Sequence, residues 1–323
     1  MTKVLVIGGA GYIGSHVVLE LLEKGYEVVV FDNLSTGQKI NLFENVPFIE
    51  GDILDTSALI KAMQTKPDAV IHLAAKKAVG ESMEKPDFYA LNNITGTINI
   101  LNTMLEFNVR NIVFSSSAAV YGMPEYFPVD EKHPKNPINF YGYTKSLIED
   151  IMAWYAKLKG LNYIALRYFN AVGYDAKKRI KGKEKNPQNL LPIIIEAATG
   201  KRSGFQIFGN DYETPDGTCE RDYIHVSDLA DAHEKAIKYL LEQKTSHCLN
   251  LGTGKAVSVK QMVDATERVI GKPLSYTYGP RRAGDPATLI AKSDLAQKVL
   301  GWHPKYLNID EIIKTTWNME NKQ

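Results

Sequence analysis

Cysteine is scarce: Cys219 and Cys248 are the only two in 323 residues, and they stand in no ligand-like spacing. That argues against a disulfide framework or a zinc knuckle and predicts a reducing compartment, the cytoplasm. An excess of one charge is also missing. Thirty-eight basic residues face 37 acidic ones for a net charge of +1, which speaks against nucleic acid or an anionic membrane as a partner. No apolar run approaches the ~18–20 residues of a membrane span. The apolar opening is broken by Gly8-Gly9-Ala10-Gly11 with no small-residue cleavage site behind it, so it does not read as a secretory leader. Repeats and low-complexity tracts are absent. What remains is an ordinary globular composition, 44% hydrophobic and 23% charged. The length is that of about two modal domains, so either two lobes or one large α/β unit is expected.

Up to Arg167, short β-branched runs alternate with longer helical stretches, the pattern of a parallel sheet with crossover helices. Strands are predicted at Lys3–Gly8, Glu27–Asp32, Pro47–Glu50, Ala69–Leu73, Asn111–Ser116 and Tyr163–Arg167. Helices are predicted at Ile13–Lys24, Thr56–Gln64 with Asp55 as cap, Asp87–Phe107 and Tyr141–Leu158. The early strands are continuously apolar, as strands covered on both faces should be. The fold class is therefore α/β, a doubly wound, Rossmann-like parallel sheet. Beyond Arg167 glycine, proline and charge become frequent, which places a division near Phe169. Residues 1–169 form the dinucleotide-binding domain, rejoined by part of 220–245, and residues 170–323 a smaller mixed α/β substrate-binding lobe. Lys177, Lys178, Arg179, Lys181, Lys183 and Lys185 read as a solvated loop, with steering of an anionic substrate as the functional alternative.

Gly8, Gly11 and Gly14 stand between the first strand and the first helix. Such glycines let the chain turn, let backbone N–H groups approach a pyrophosphate and let helix pack on strand. Asp32 ends the second strand about 20 residues on, where a carboxylate accepts hydrogen bonds from an adenosine ribose and repels a 2′-phosphate. NAD is thus the expected cofactor. Asp52, after the third strand, is placed to reach adenine. Tyr141 and Lys145 lie one helical turn apart on one face, and a nearby ammonium is expected to lower a phenol pKa. Ser115-Ser116-Ser117, at the end of the fifth strand, supplies a hydroxyl to orient an alcohol. His225 and His233, with Asp228 and Asp231 between, are two turns apart, ~12 Å, too far for one ion at ~2 Å. No metal is expected, and a capped helix should begin near Ser227. Trp154 and Tyr155 read as packing.

With Leu73–Ser82, Asn92-Asn93, Ser115–Gly122, Arg167–Asn170, Phe208–Tyr212, Arg221–His225 and Arg281–Asp285 added, the chain resembles the extended short-chain dehydrogenase/reductases, and within them the UDP-glucose 4-epimerases. The resemblance runs nearly end to end. It implies that Tyr141 as phenolate takes the proton of a sugar 4-hydroxyl while C4 gives hydride to nicotinamide, and that the 4-keto sugar turns and receives the hydride on its other face. Ser117 orients the hydroxyl, and Lys145 tunes Tyr141 and holds the nicotinamide ribose. It also implies cofactor contacts at Tyr12 and Ile13, at Asp32, Asn33, Leu34, Ser35, Thr36 and Gly37, at Asp52 and Ile53, at Leu73, Ala74, Ala75 and Lys77, and at Asn92 and Phe169. For the UDP-sugar it implies Lys77, Asn170, Asn189, Leu190, Gln206, Ile207, Phe208, Arg221, Arg282 to Asp285, and Leu289 as the gate beside the sugar. The helices Asp87–Phe107 and Tyr141–Leu158 are implied to pair in a homodimer.

Three other readings compete. A nucleotide-sugar 4,6-dehydratase resembles this chain but carries Asp-Glu after the strand-end hydroxyl, where Ala118 and Ala119 stand here, so the proton-transfer groups for elimination are missing. A non-catalytic NAD-sensing protein keeps the fold without the intact Ser117, Tyr141 and Lys145 set. A main activity on UDP-N-acetylglucosamine turns on Leu289, intermediate between the tyrosine of epimerases restricted to unmodified sugars and the small residues of those accepting N-acetyl sugars.

Overall fold

The structure is a computed structural model describing residues 1–184, 187, 189–282 and 284–320. Lys185, at the end of the basic loop, and Ala283, between the two arginines and Asp285, lie outside the described residues. The strands β1 (Lys3–Ile7), β2 (Glu27–Asp32), β3 (Phe48–Glu50), β4 (Ala69–His72), β5 (Asn111–Ser117), β6 (Asn162–Tyr168) and β7 (His247–Leu251) make one seven-stranded sheet in the order β7-β6-β5-β4-β1-β2-β3. Every pairing in it is parallel. Six of these strands were legible in the sequence. The seventh returns from beyond the 220–245 segment.

The doubly wound character follows from alternation within each strand. Val4 and Val6 enter one apolar cluster with Val17, Val18 and Leu21 of helix α1 (Tyr12–Glu23) and Leu229, Ala236 and Leu240 of the long helix Val226–Gln243. Leu5 and Ile7 enter another with Leu59 and Met63 of α2 (Thr56–Met63), Leu101 and Met104 of Gly96–Glu106, and Ile148 and Met152 of Phe140–Lys159. Both faces are dry, which explains the unbroken apolar runs. Asp55 caps α2, its carboxylate accepting from the amides of Ser57 and Ala58. The capped helix expected near Ser227 begins at Val226, its cap the imidazole of His225, which accepts from the Ser227 amide.

One expected helix is broken. Asp87–Phe107 proves to be a short helix Pro86–Tyr89, a π-helical stretch Ala90–Thr95 and the helix Gly96–Glu106. The widened turn has a local purpose, because Asn93 leaves the helical surface to hold the backbone of Lys76 from both sides, accepting from its amide at 2.9 Å and donating to its carbonyl at 3.0 Å. Such π turns often mark functional sites.

After Phe169 the chain builds a second core of Val172, Leu191, Ile194, Phe205, Ile207, Met262 and Ile313. Small sheets support it: Phe205–Phe208 pairs with Tyr276–Gly279, and Glu220–Arg221 with Val257–Ser258 and Thr288–Leu289. A third, small cluster of Ala118, Val120, Tyr121, Val129, Phe169 and Ala291, with Leu289 against it, joins the two cores. Among the described residues no helix is long and apolar enough to cross a membrane.

Candidate active site

The strand order reverses between β1 and β4, and ligands of doubly wound sheets enter at such a switch point beyond the carboxyl ends of the strands. The glycine turn lies there. Gly8 has φ +89°, and a Cβ on it would lie 2.7 Å from the Ala74 nitrogen. At Gly14 the added carbon would sit 2.1 Å from the Gly8 carbonyl oxygen, so no side chain fits. Gly11 caps α1 without a side chain, leaving the first-turn amides of Tyr12, Ile13 and Gly14 for an anion at the positive helix end.

Asp32 is 7% exposed, and its carboxylate accepts from the Ala10 amide at 3.0 Å and the Leu34 amide at 2.8 Å. It braces the glycine turn against the following loop, in which Leu34 is left-handed at φ +57°. Gly37 passes so close that a Cβ would be 2.7 Å from Asp32 Oδ1. Asn33 donates to Asp52 at 2.7 Å and accepts from the Ser35 amide, so the residues expected around ribose and adenine share one rim with exposed Thr36. Ile53 buries its side chain beneath Gly96, so it faces that rim with its backbone. Leu73 and Ala74 hang from the Ile7 carbonyl, Ala75 follows half-buried, and Asn92 donates to Asn93 at the loop's other side.

The three serines ending β5 separate by role. Ser115 lends its carbonyl oxygen to Lys145, whose Nζ donates to it at 2.6 Å. Ser116 turns its hydroxyl into the buried carboxylate of Glu149 at 2.6 Å. The Ser117 hydroxyl stands beside the Tyr141 phenol, pulling its pKa down, and accepts from the Ala119 amide at 3.1 Å. The helix carrying Tyr141 can approach this edge because position 142 is glycine: a Cβ there would meet the Ala119 carbonyl oxygen at 2.4 Å. Tyr143, two residues along, is 48% exposed and faces away.

Glu149 belongs to a network the sequence did not reveal. It receives Arg167 through two bonds of 2.9 and 2.7 Å; Arg167 donates to the Tyr121 hydroxyl at 2.8 Å, and Tyr121 to Asn250 at 2.6 Å. Its members lie 18 to 129 positions apart, so only the strand register brings them together.

Electrostatics correct one expectation. Without a ligand the Tyr141 phenol is not lowered by Lys145: burial pushes it up to about 12, the Ser117 hydroxyl pulling the other way. Burial likewise brings Lys145 down to about 7, opposed by the Glu149 carboxylate. Desolvation disfavours the charged form of each. The amine is also aimed at the Ser115 carbonyl and stands 5.8 Å from the Tyr141 ring centre.

The second lobe presents its groups across the same edge. Phe169 is buried in the joining cluster, and Asn170 donates through backbone and side chain to the Asp222 carbonyl. Asn189 caps the helix Leu190–Ala198 without a side-chain bond. In the strand Phe205–Phe208, Gln206 and Phe208 point out, whereas Ile207 is 1% exposed and belongs to the lobe core. The strand's period of two makes Ile207 a packing residue whose backbone alone can reach a ligand. The Arg282 guanidinium lies 4.5 Å from the Phe208 ring centre. Arg221 donates to the Glu220 and Pro286 carbonyls at 2.8 Å and pairs with Asp285 at 3.4 Å. Leu289 is in register with Arg221, half-buried against the cluster holding Ala118 and Phe169. Lys77, exposed at the rim, is ion-paired with Glu184. Among the described residues no three His, Cys, Asp or Glu side chains converge to hold a metal.

The Lys145 shift has a sign that can be tested. A lysine titrating near 7 in the folded protein and ~10.4 unfolded costs most when both states are charged, below about pH 7, and that cost is relieved as pH rises from ~7 to ~10. Urea unfolding of ligand-free protein should therefore show Lys145→Met more stable than wild type near pH 6, with the gap closing toward pH ~9. A gap independent of pH would mean that Lys145 is charged throughout.

Comparison with known proteins places this chain in a family. Residues 4–252 match the NAD dependent epimerase/dehydratase family. A UDP-glucose 4-epimerase of Halalkalibacterium halodurans is 47% identical over 98% of this chain and 94% of its own. A crystal structure of UDP-glucose 4-epimerase from Brucella ovis in complex with NAD superposes with a TM-score of 0.95 at 45% identity, covering 98% of this chain and 97% of that one. That of Bifidobacterium longum, in complex with NAD+ and UDP, gives 0.93 at 38% identity over 99% of both chains. The chain therefore belongs to the NAD dependent epimerase/dehydratase family.

Proposed function

We propose that this protein interconverts UDP-galactose and UDP-glucose by inverting C4 of the hexose, with NAD held through the cycle. The observation that carries the reading is the buried Tyr141 phenol beside the Ser117 hydroxyl, with the buried Lys145 amine 5.8 Å from its ring centre and bonded to the Ser115 carbonyl, at the sheet edge where the glycine turn also opens. Side-chain-free Gly8, Gly11 and Gly14, the uncapped first turn of α1 and Asp32 suit a dinucleotide pyrophosphate and its ribose. Bound NAD supplies a hydride acceptor and a positive ring charge. Tyr141 as phenolate takes the 4-hydroxyl proton and later returns it. Ser117 donates to the phenolate oxygen and fixes the direction of transfer, while Lys145, in its protonated form, adds positive charge beneath the pair.

Arg221 and Arg282 offer planar donors for the UDP pyrophosphate, with Asp285 and Phe208 setting their angles. Asn170, Asn189, Leu190, Gln206 and the backbone of Ile207 line the remaining path, and Lys77 guards the cofactor end. Ala118 and Ala119 occupy the turn after Ser117, where a dehydratase needs an acid and a base. A purely sensing role leaves the buried Ser117, Tyr141 and Lys145 set without use. We also propose the division into residues 1–169 and 170–323, with the long helix and β7 returning to the first part, a cytoplasmic location, and a homodimer through the faces bearing exposed Met83, Phe88, Leu91, Trp154 and Leu158.

Purified protein given UDP-galactose and no added NAD should form UDP-glucose, followed by product chromatography. Tyr141→Phe should lower turnover by at least ~10²-fold, the low end of general-base catalysis, while Tyr143→Phe stays near wild type. Equal losses in both variants would assign the base to neither. For sugar choice, Leu289→Tyr should suppress turnover of UDP-N-acetylgalactosamine selectively and Leu289→Ser should raise it. Parallel changes on both sugar pairs would remove Leu289 from the gate.

A further inference from the structure

The basic loop after the strand Asn170–Val172 is fastened to the dinucleotide-binding half along its length. Tyr12 donates to the Gly173 carbonyl at 2.6 Å, and the Asp175 amide to His16 Nε2 at 3.0 Å. Farther on, the Gly182 amide donates to Asn41 Oδ1 at 2.7 Å, Gln38 donates to the Lys183 carbonyl, and Glu184 pairs with Lys77. Ile180 is 2% exposed, so the loop also carries its own apolar plug. Part of its charge is committed: Arg179 pairs with Asp175 and Glu23, and Lys183 with Glu320, while Lys177, Lys178 and Lys181 stay exposed. A solvated loop has no need of these bonds.

Asn41 is the junction. The residue is 5% exposed, its amide donates to the Ala10 carbonyl at 3.1 Å, and its carbonyl receives Gly182. The Ala10 carbonyl also accepts from the Gln38 amide at 3.0 Å. One buried side chain therefore joins the glycine turn, the loop behind Asp32 and the crossing segment. Gly182 lies so close that a Cβ would be 2.4 Å from Asn41 Oδ1.

We propose that residues 173–184 are a retaining strap for the dinucleotide, latched to the glycine turn by Asn41 as a positioning residue. The inference rests on NAD being the bound cofactor. The strap hangs from Tyr12, from the loop that follows Asp32 and from Lys77, which are also the groups that embrace the dinucleotide. Release of the cofactor thus requires these fastenings to open. A cofactor that ends each cycle as it began has no need to leave, and a strap makes its departure slow without strengthening any contact to the reacting ring.

The test uses purified holoenzyme. Released NAD is destroyed by an added NAD-hydrolysing enzyme, and the nucleotide still bound is measured after denaturation. Asn41→Ala should release NAD about tenfold faster, the scale of one buried hydrogen bond, and trypsin should cut sooner after Lys177 or Lys178. Gly182→Ala, which disturbs the latch from the strap side, should do the same and serves if Asn41→Ala does not fold. Wild-type release rates and wild-type trypsin cleavage in the folded variants overturn the strap while leaving the cofactor assignment intact. Wild-type protein that retains no nucleotide contradicts the functional reading itself.

Discussion

The hydrogen bond from Lys145 to the Ser115 carbonyl fixes where everything else in the site can be. It ties the helix Phe140–Lys159 to the end of β5, and from that tie Tyr141, one turn earlier, meets Ser117, two residues later on the strand. Glu149, one turn beyond Lys145, meets Ser116 and Arg167. Gly142 permits the approach and the strand register supplies the partners. Sequence spacing, helix period and sheet edge thus converge on a single contact.

The same contact explains the electrostatics. Both members of the tyrosine and lysine pair are buried, so the ligand-free site holds a neutral phenol and an amine that releases its proton near neutrality. The Glu149 carboxylate opposes the second effect. It is itself tolerable because Arg167 satisfies it bidentately, Ser116 adds a third bond and Lys135 stands 3.5 Å away, since removing one partner of such a buried pair typically costs about 3–5 kcal/mol. The network that looks structural is therefore coupled to the charge state of the groups that act.

Most of the fold was legible because strands buried on both faces read as unbroken β-branched runs and because glycine, cap and acid positions mark the first βαβ unit. Tyr141 and Lys145 were legible from helical spacing, and the serine triplet Ser115-Ser116-Ser117 from its place at a strand end, but the choice of Ser117 among the three came only with the family resemblance. Long-range side-chain bonds were not: nothing local in Asn41 points to Gly182, and nothing in Glu149 points to Arg167. The π turn at Ala90–Thr95 was hidden because Asn93 is drawn out by the backbone of Lys76, a tertiary demand that overrides helical pattern. Ile53 and Ile207 fell within matching segments, yet side chains in such segments still divide between ligand face and core. The direction of the Tyr141 shift was missed because spacing reports a nearby charge and says nothing of desolvation.

The central claim is that this site holds its phenol neutral by burial and ionises it only when cofactor charge is added. Ultraviolet difference titration of wild type against Tyr141→Phe measures it directly, once on protein stripped of nucleotide and once on protein reloaded with NAD. The phenol should titrate far above neutrality in the stripped protein and several units lower in the loaded one. The same high value in both states would contradict the account.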